Sequence, residues 1–200
     1  MIANPRLICF VVYGQNPNSG TTNMAGAIRL ATYIRQMMPN KIAFIGSHPS
    51  ALPGETLKLP CVDYVLPGDG LEGLQKIMEG EEPGIIWSKP SEFNYYAWDL
   101  IPSLDHYRAH VWHCNFDESK RSPFAALYTS LGCPFKCDFC MINLVNRESP
   151  DQLDAAQSSG IRFFNPDFVL DQLEYLQSKG VHNVRFSDEM FFLNKQHYLP

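Results

Sequence analysis

Leu7-Ile8-Cys9-Phe10-Val11-Val12-Tyr13 is an unbroken apolar run with β-branched members, ended by Gly14 and the turn-rich segment Gln15-Asn16-Pro17-Asn18-Ser19-Gly20. A strand buried on both faces reads this way, whereas a half-exposed strand alternates. Met24, Ala27, Ile28, Ala31, Ile34 and Met38 then recur at helical spacing up to Pro39, and Ile42-Ala43-Phe44-Ile45 is a second strand closing on Gly46. Strand, helix and strand form a crossover unit, which makes the two strands parallel. The pattern continues with a short helical segment from residues 49–53, a third strand at 62–66 closing on Pro67-Gly68, and a helix marked by Leu71, Leu74, Ile77 and Met78. The fold class is therefore α/β, with a partial, Rossmann-like open parallel sheet. Such sheets bind ligands beyond the carboxyl ends of their strands, where Gly46-Ser47-His48 and Gly68-Asp69-Gly70 fall. Ordinary strand-to-helix turns account for the same glycines.

Residues 88–122 lose the periodicity. Tyr95, Tyr96, Trp98, Tyr107 and Trp112 are scattered among Pro90 and Pro102, and a linker this aromatic is expected to pack against its neighbours. A second region opens with Phe124-Ala125-Ala126-Leu127-Tyr128-Thr129, a strand that delivers the chain directly into Ser130-Leu131-Gly132-Cys133. Asn165-Pro166 starts a helix with Phe168, Val169, Leu170, Leu173 and Leu176 on one face and Lys179-Gly180 as its stop. Residues 181–186 are the next strand, ending at Ser187-Asp188-Glu189. The expected division is a first α/β domain over 1–87, a linker over 88–122 and a second domain over 123–200. Neither an internal repeat nor a low-complexity tract interrupts it.

Of the 200 residues, 45% are apolar and 12% aromatic, which excludes disorder as the main state. Sixteen basic and twenty-one acidic side chains leave a net charge of −5, without blocks of either sign, so nothing announces a nucleic-acid surface. No apolar stretch approaches the roughly 20 residues of a membrane-spanning helix. The start Met1-Ile2-Ala3-Asn4-Pro5-Arg6 lacks the apolar core of a secretory signal, and a cytoplasmic protein is expected.

Six cysteines stand at positions 9, 61, 114, 133, 137 and 140, and the last three crowd into eight residues. In a cytosolic chain that crowding points to metal ligation rather than disulfides. Cys133, Cys137 and Cys140 form C-x3-C-x2-C just beyond a strand, so three thiolates can converge from one short loop. Iron–sulfur clusters take soft ligands in this way. The missing fourth ligand is informative, because structural zinc is closed by four protein groups whereas a reactive metal keeps one position open. A zinc site completed by His113 or Cys114, in an interaction module with no catalysis, is the reading from a different class. Cys9 and Cys61 are expected to behave as small apolar residues.

Cys133-Pro134-Phe135-Lys136-Cys137-Asp138-Phe139-Cys140 resembles the cluster-binding signature of the radical S-adenosylmethionine superfamily, including the aromatic residue before the third cysteine. The resemblance implies a [4Fe–4S] cluster on the three cysteines, with the fourth iron binding S-adenosylmethionine and one electron cleaving it to a 5′-deoxyadenosyl radical. It further implies the opening units of a partial TIM-type β/α barrel, and a flavodoxin or ferredoxin as electron donor. Phe139 would lie beside the adenine. Ser187, Asp188 and Glu189 would contact the methionine ammonium, which needs an anionic partner in a partly dry site; the plain alternative is that they cap a strand. On this reading Asp188 and Glu189 lie across the cluster loop from Cys140.

Residues 45–53 and 62–70, followed by Trp98-Asp99-Leu100-Ile101-Pro102, resemble the latter half of the cobalamin-binding domain that precedes many of these enzymes, and its linker. This implies cobalamin near Gly46, Ser47, Gly68 and Asp69, with small residues admitting a planar ring. The Asp-x-His-x-x-Gly motif is absent, so that motif would supply no lower histidine ligand. The family's additional strand and helix before Leu7, and most of its barrel strands after Cys133, are expected to be missing. Many such enzymes are methyltransferases that act on unactivated carbons; ring formation, methylthiolation or another rearrangement are the rivals.

Overall fold

Pro39 decides where the first helix stops. In the computed structural model, which describes residues 5–13, 19–91, 96–152 and 160–199, Met38 is extended at φ −142° and ψ 139°. A following proline imposes that conformation, and helix α1 (Gly20–Met37) ends before it. The turn expected after the first strand falls largely at 14–18, outside the described residues.

Strands β1 (Leu7–Val12), β2 (Lys41–Gly46), β3 (Tyr64–Leu66) and β4 (Gly84–Ile85) form one sheet in sequence order. All neighbours are parallel, with Phe10 opposite Phe44 and Ile45 opposite Leu66. The short helices α2 (Ser47–Ala51) and α3 (Pro53–Leu57) lead from β2 towards β3, and α4 (Leu71–Glu79) lies between β3 and β4. Period-2 alternation divides the core between two faces of the sheet. Val12, Ile42, Phe44 and Val65 pack with Met24 and Ala31 of α1, while Ala43, Ile45, Tyr64 and Leu66 pack with Leu74 and Ile77 of α4. Phe44, Ile42, Leu66 and Val65 are wholly buried, each contributing about 1.5–3 kcal/mol by the usual transfer scale. Cys61 belongs to this core, and burial pushes the Cys9 thiol up to about 11.

Asp63 ties three elements at the amino ends of the strands. It accepts from Ile42 N–H at 2.8 Å and from Lys41 Nζ at 3.3 Å, and it pairs with Arg35 of α1. Burial pushes its carboxyl up, but these donors outweigh burial and hold it below the usual carboxylate range.

The second sheet pairs β5 (Phe124–Leu127) with β8 (Asn183–Phe186), parallel and in register from Phe124 opposite Asn183 to Leu127 opposite Phe186. Helix α5 (Pro166–Ser178) precedes β8; Asn165 caps it by accepting from Asp167 N–H at 2.9 Å. Its Leu176 joins Ala125, Leu127 and Val181 in a core against which Tyr96, Trp98 and Leu104 pack. The aromatic linker thus packs as expected: Trp98 Nε1 donates to Gln172 Oε1 at 2.9 Å. Tyr95 lies outside the described residues. The strands β6 (Ser130–Cys133) and β7 (Gly160–Phe163) pair with each other, and α6 (Lys195–Tyr198) follows near the end of the chain.

Two details depart from the expected elements. The strand expected over Phe124–Thr129 ends at Leu127, and Thr129 N–H is instead taken by the Asp188 carboxylate at 2.9 Å. The division at 87/88 and 122/123 also differs from the compact units, which are 1–91 with 132–160, and 92–131 with 161–200. Residues 132–160 join the first unit because Arg147 donates to the Ser50 carbonyl. Among the described residues the four-stranded parallel sheet is established, and the second unit carries the two-stranded parallel pair of β5 and β8.

Candidate functional site

The cysteine loop belongs to the first unit. Residues 134–139 are exposed, Cys133 and Cys140 are half-buried, and all three thiols are free. Two internal bonds shape the loop. Cys140 N–H donates to Cys137 O at 3.1 Å, and Asn143, itself buried, accepts from Cys133 N–H at 2.9 Å and donates to Phe135 O at 3.1 Å. Phe139 is 79% exposed. The donor set fits an iron–sulfur cluster in kind, being three thiols from one accessible loop. Among the described residues no three Cys, His, Asp or Glu side chains are gathered closely enough to hold a metal ion.

Gly46 is the last residue of β2 and Gly68 lies just beyond the carboxyl end of β3, and Ser50 joins them. Its Oγ donates to Gly46 O at 2.7 Å and accepts from Gly68 N–H at 2.9 Å. Both glycines have positive φ, 129° and 81°. A Cβ on Gly46 would strike the Val12 carbonyl, and one on Gly68 would lie 2.7 Å from Arg147 O. The chain's own backbone therefore fills the space that small residues were expected to leave for a ring. Asp69 accepts from Ser91 N–H at 2.8 Å. Ser47 is buried, and its Oγ is without a hydrogen-bond partner. The four residues fit a corrinoid only in part: Ser47 offers a buried polar group, while the glycines offer no open room.

In the second unit, Asp188 accepts from Thr129 N–H at 2.9 Å, Thr129 Oγ1 at 2.9 Å and Ser130 Oγ at 2.6 Å. Because the Thr129 hydroxyl donates to Asp188, it accepts from His197 Nε2, 2.7 Å away. Burial lowers the His197 pKa against the pull of Asp188, which favours the neutral ring, and the bond to Thr129 then takes its proton on Nε2. Ser187 N–H donates to Leu127 O at 2.7 Å. Glu189 is exposed as a residue, yet partial desolvation of its carboxyl and then the Asp188 charge raise its pKa. Both it and Asp188 line an open cavity of about 660 Å³ with Phe186, Met190, Phe191 and Phe192. The two carboxylates differ in their partners: Asp188 is held by Thr129 and Ser130 at the strand ends, while partial desolvation raises the pKa of Glu189.

His113 and Cys114 lie in the second unit. The His113 ring stacks on Phe124, and buried Cys114 Sγ approaches His110 O at 3.7 Å. Asn143, Arg147, Thr129 and His197 were not expected at the site. A lone Asn or Arg in a polar segment carries no periodic or motif signal, and His197 is recognised only by the fold that brings it to Thr129.

No family model matches the chain. It is 24% identical over 202 residues to an uncharacterized methyltransferase of Pyrococcus horikoshii, covering 88% of this chain and 39% of the relative. Over 210 residues it is 23% identical to the hopanoid C-3 methylase of Methylococcus capsulatus, covering 96% of this chain and 36% of that protein. The chain thus spans about two fifths of the length of these relatives. Its fold is similar to that of the radical S-adenosylmethionine methyltransferase TsrM from Kitasatospora setae. With cobalamin and a [4Fe–4S] cluster bound, that structure gives a TM-score of 0.67 at 16% identity, covering 98% of this chain and 40% of TsrM. With tryptophan substrate and the S-adenosylmethionine analogue aza-SAM bound, it gives 0.62.

Proposed function

We propose that this chain supplies the cluster-bearing part of a cobalamin-type radical S-adenosylmethionine methyltransferase acting on an unactivated carbon. The observation that carries the reading is C-x3-C-x2-C on one exposed loop, with its thiols free, in a chain whose fold resembles a radical S-adenosylmethionine methyltransferase. Methyl transfer is preferred to cyclisation or methylthiolation because both curated relatives are methyltransferases by name.

Cys133, Cys137 and Cys140 would hold a [4Fe–4S] cluster as thiolates. When bound, the cluster and S-adenosylmethionine supply radical chemistry, and cobalamin supplies a methyl carrier. Glu189, on the cavity, offers a carboxylate to the methionine ammonium, and Asp188 fixes the strand end that carries it. An ammonium beside Glu189 would favour the ionised carboxylate and reverse its raised pKa. Phe139 presents an exposed ring to the adenine. Ser47 provides a buried hydroxyl for cobalamin. The exposed loop leaves a one-electron donor, such as a flavodoxin or ferredoxin, access to the cluster.

The test is electron paramagnetic resonance of the anaerobically reconstituted, reduced chain. Adding S-adenosylmethionine is expected to shift the cluster signal, with His113→Ala behaving as the parent. An unchanged signal in a fully loaded sample, or loss of metal in His113→Ala, would overturn the reading.

A further inference from the structure

The helical turn Ile142–Asn146, together with Arg147, makes two sets of bonds in opposite directions along the chain. Asn143 reaches back to the cysteine loop, accepting from Cys133 N–H and donating to Phe135 O. Arg147, one helical turn on and only 3% exposed, reaches the strand ends. Its Nη1 donates to Ser50 O at 2.5 Å, its Nη2 donates to Pro150 O at 3.3 Å, and its guanidinium lies 4.8 Å from the centre of the Trp87 ring. Among the described residues no carboxylate pairs with it, and its Nε is buried without a partner.

A buried guanidinium without a counter-charge is costly. Such a residue holds its place only because carbonyls and an aromatic face supply the compensation. Ser50 is the other half of the attachment. Its carbonyl takes Arg147, while its hydroxyl bridges Gly46 and Gly68, and Gly68 is packed against Arg147 O.

We propose that Asn143 and Arg147 are positioning residues, a clasp that holds the cysteine loop on the carboxyl ends of β2 and β3. The cluster reading of the thiols gives the clasp its purpose, and the proposal rests on that reading. Holding Cys133 before any cluster arrives lowers the ordering that assembly must complete. The consequence is that loosening Arg147, which touches no cysteine, disturbs the thiol loop.

Timed alkylation of the cluster-free chain with iodoacetamide, read cysteine by cysteine by mass spectrometry, tests this directly. Exposed Cys137 serves as the unprotected standard, and Cys61, 2% exposed in the sheet core, reports general unfolding. Asn143→Ala and Arg147→Ala are each expected to raise Cys133 labelling about tenfold, the effect of losing one buried hydrogen-bonded attachment. Cys61 should stay protected, and Arg147→Lys, which keeps one donor for Ser50 O, should restore part of the protection. Reconstituted Asn143→Ala should hold less iron than the parent. Should Arg147→Ala not fold, Asn143→Ala and Arg147→Lys carry the comparison. Unchanged Cys133 labelling, or Cys61 labelling that rises in step with Cys133, would overturn the clasp. A parent chain that assembles no cluster would instead overturn the proposed function, while the labelling would still decide the clasp.

Discussion

Asp188 and Glu189 are adjacent in sequence and do different work. Both line the cavity, but Asp188 accepts three kinds of donor from Thr129 and Ser130, whereas partial desolvation raises the pKa of the Glu189 carboxyl. Asp188→Asn places an amide against donors and is expected to destabilise the chain by about 2 kcal/mol, the scale of a hydrogen bond to a charged group. Glu189→Gln should leave the thermal midpoint nearly unchanged and weaken S-adenosylmethionine binding by about tenfold. Thermal unfolding and a ligand titration on both variants separate the roles; equal loss of stability in the two would contradict the division. Sequence alone could place both residues at a strand end, but not assign their partners. Thr129 is 59 positions from Asp188, and a contact at that separation exists only once β5 and β8 are paired.

At the scale of elements, the Thr129–His197 bond joins the end of β5 to α6. A histidine whose folded pKa is lowered binds fewer protons than the unfolded chain as pH falls below its ordinary 6.5. Its stability is therefore fully present above that value and lost as pH falls towards the folded pKa. Glu189, with a raised pKa, acts with the opposite sign, contributing stability that is lost as pH rises through its folded value. His197→Gln keeps a donor for Thr129 and should flatten the dependence of the thermal midpoint between about pH 7 and pH 5. A parent and variant with parallel pH profiles would show that the imidazole does not titrate in this window. The strands β1 and β2 and helices α1 and α5 were legible because continuous apolar runs, helical spacing, Pro39 and the Asn165-Pro166 start are local signals. The two-residue strand β4 and the turn at Ile142–Asn146 were not. Their positions are set by Ile86 N–H donating to Val65 O and by Arg147 meeting Ser50 across 97 residues.

Across the whole molecule, the described residues form two units that interleave in sequence, with the thiol loop carried by the first and Asp188 and Glu189 by the second. The cysteine spacing was legible because three soft ligands in eight residues is a local pattern; the assignment of that loop to the sheet unit depends on Asn143 and Arg147, which no spacing announces. The central claim is that those three thiols hold an iron–sulfur cluster. It is tested most directly by anaerobic reconstitution followed by iron, acid-labile sulfide and zinc analysis of the parent, Cys9→Ala and Cys137→Ala. The expected result is iron and sulfide in equal amounts in the parent and in Cys9→Ala, with both lost from Cys137→Ala. Zinc in place of iron, or equal iron and sulfide in Cys137→Ala and the parent, would contradict the account.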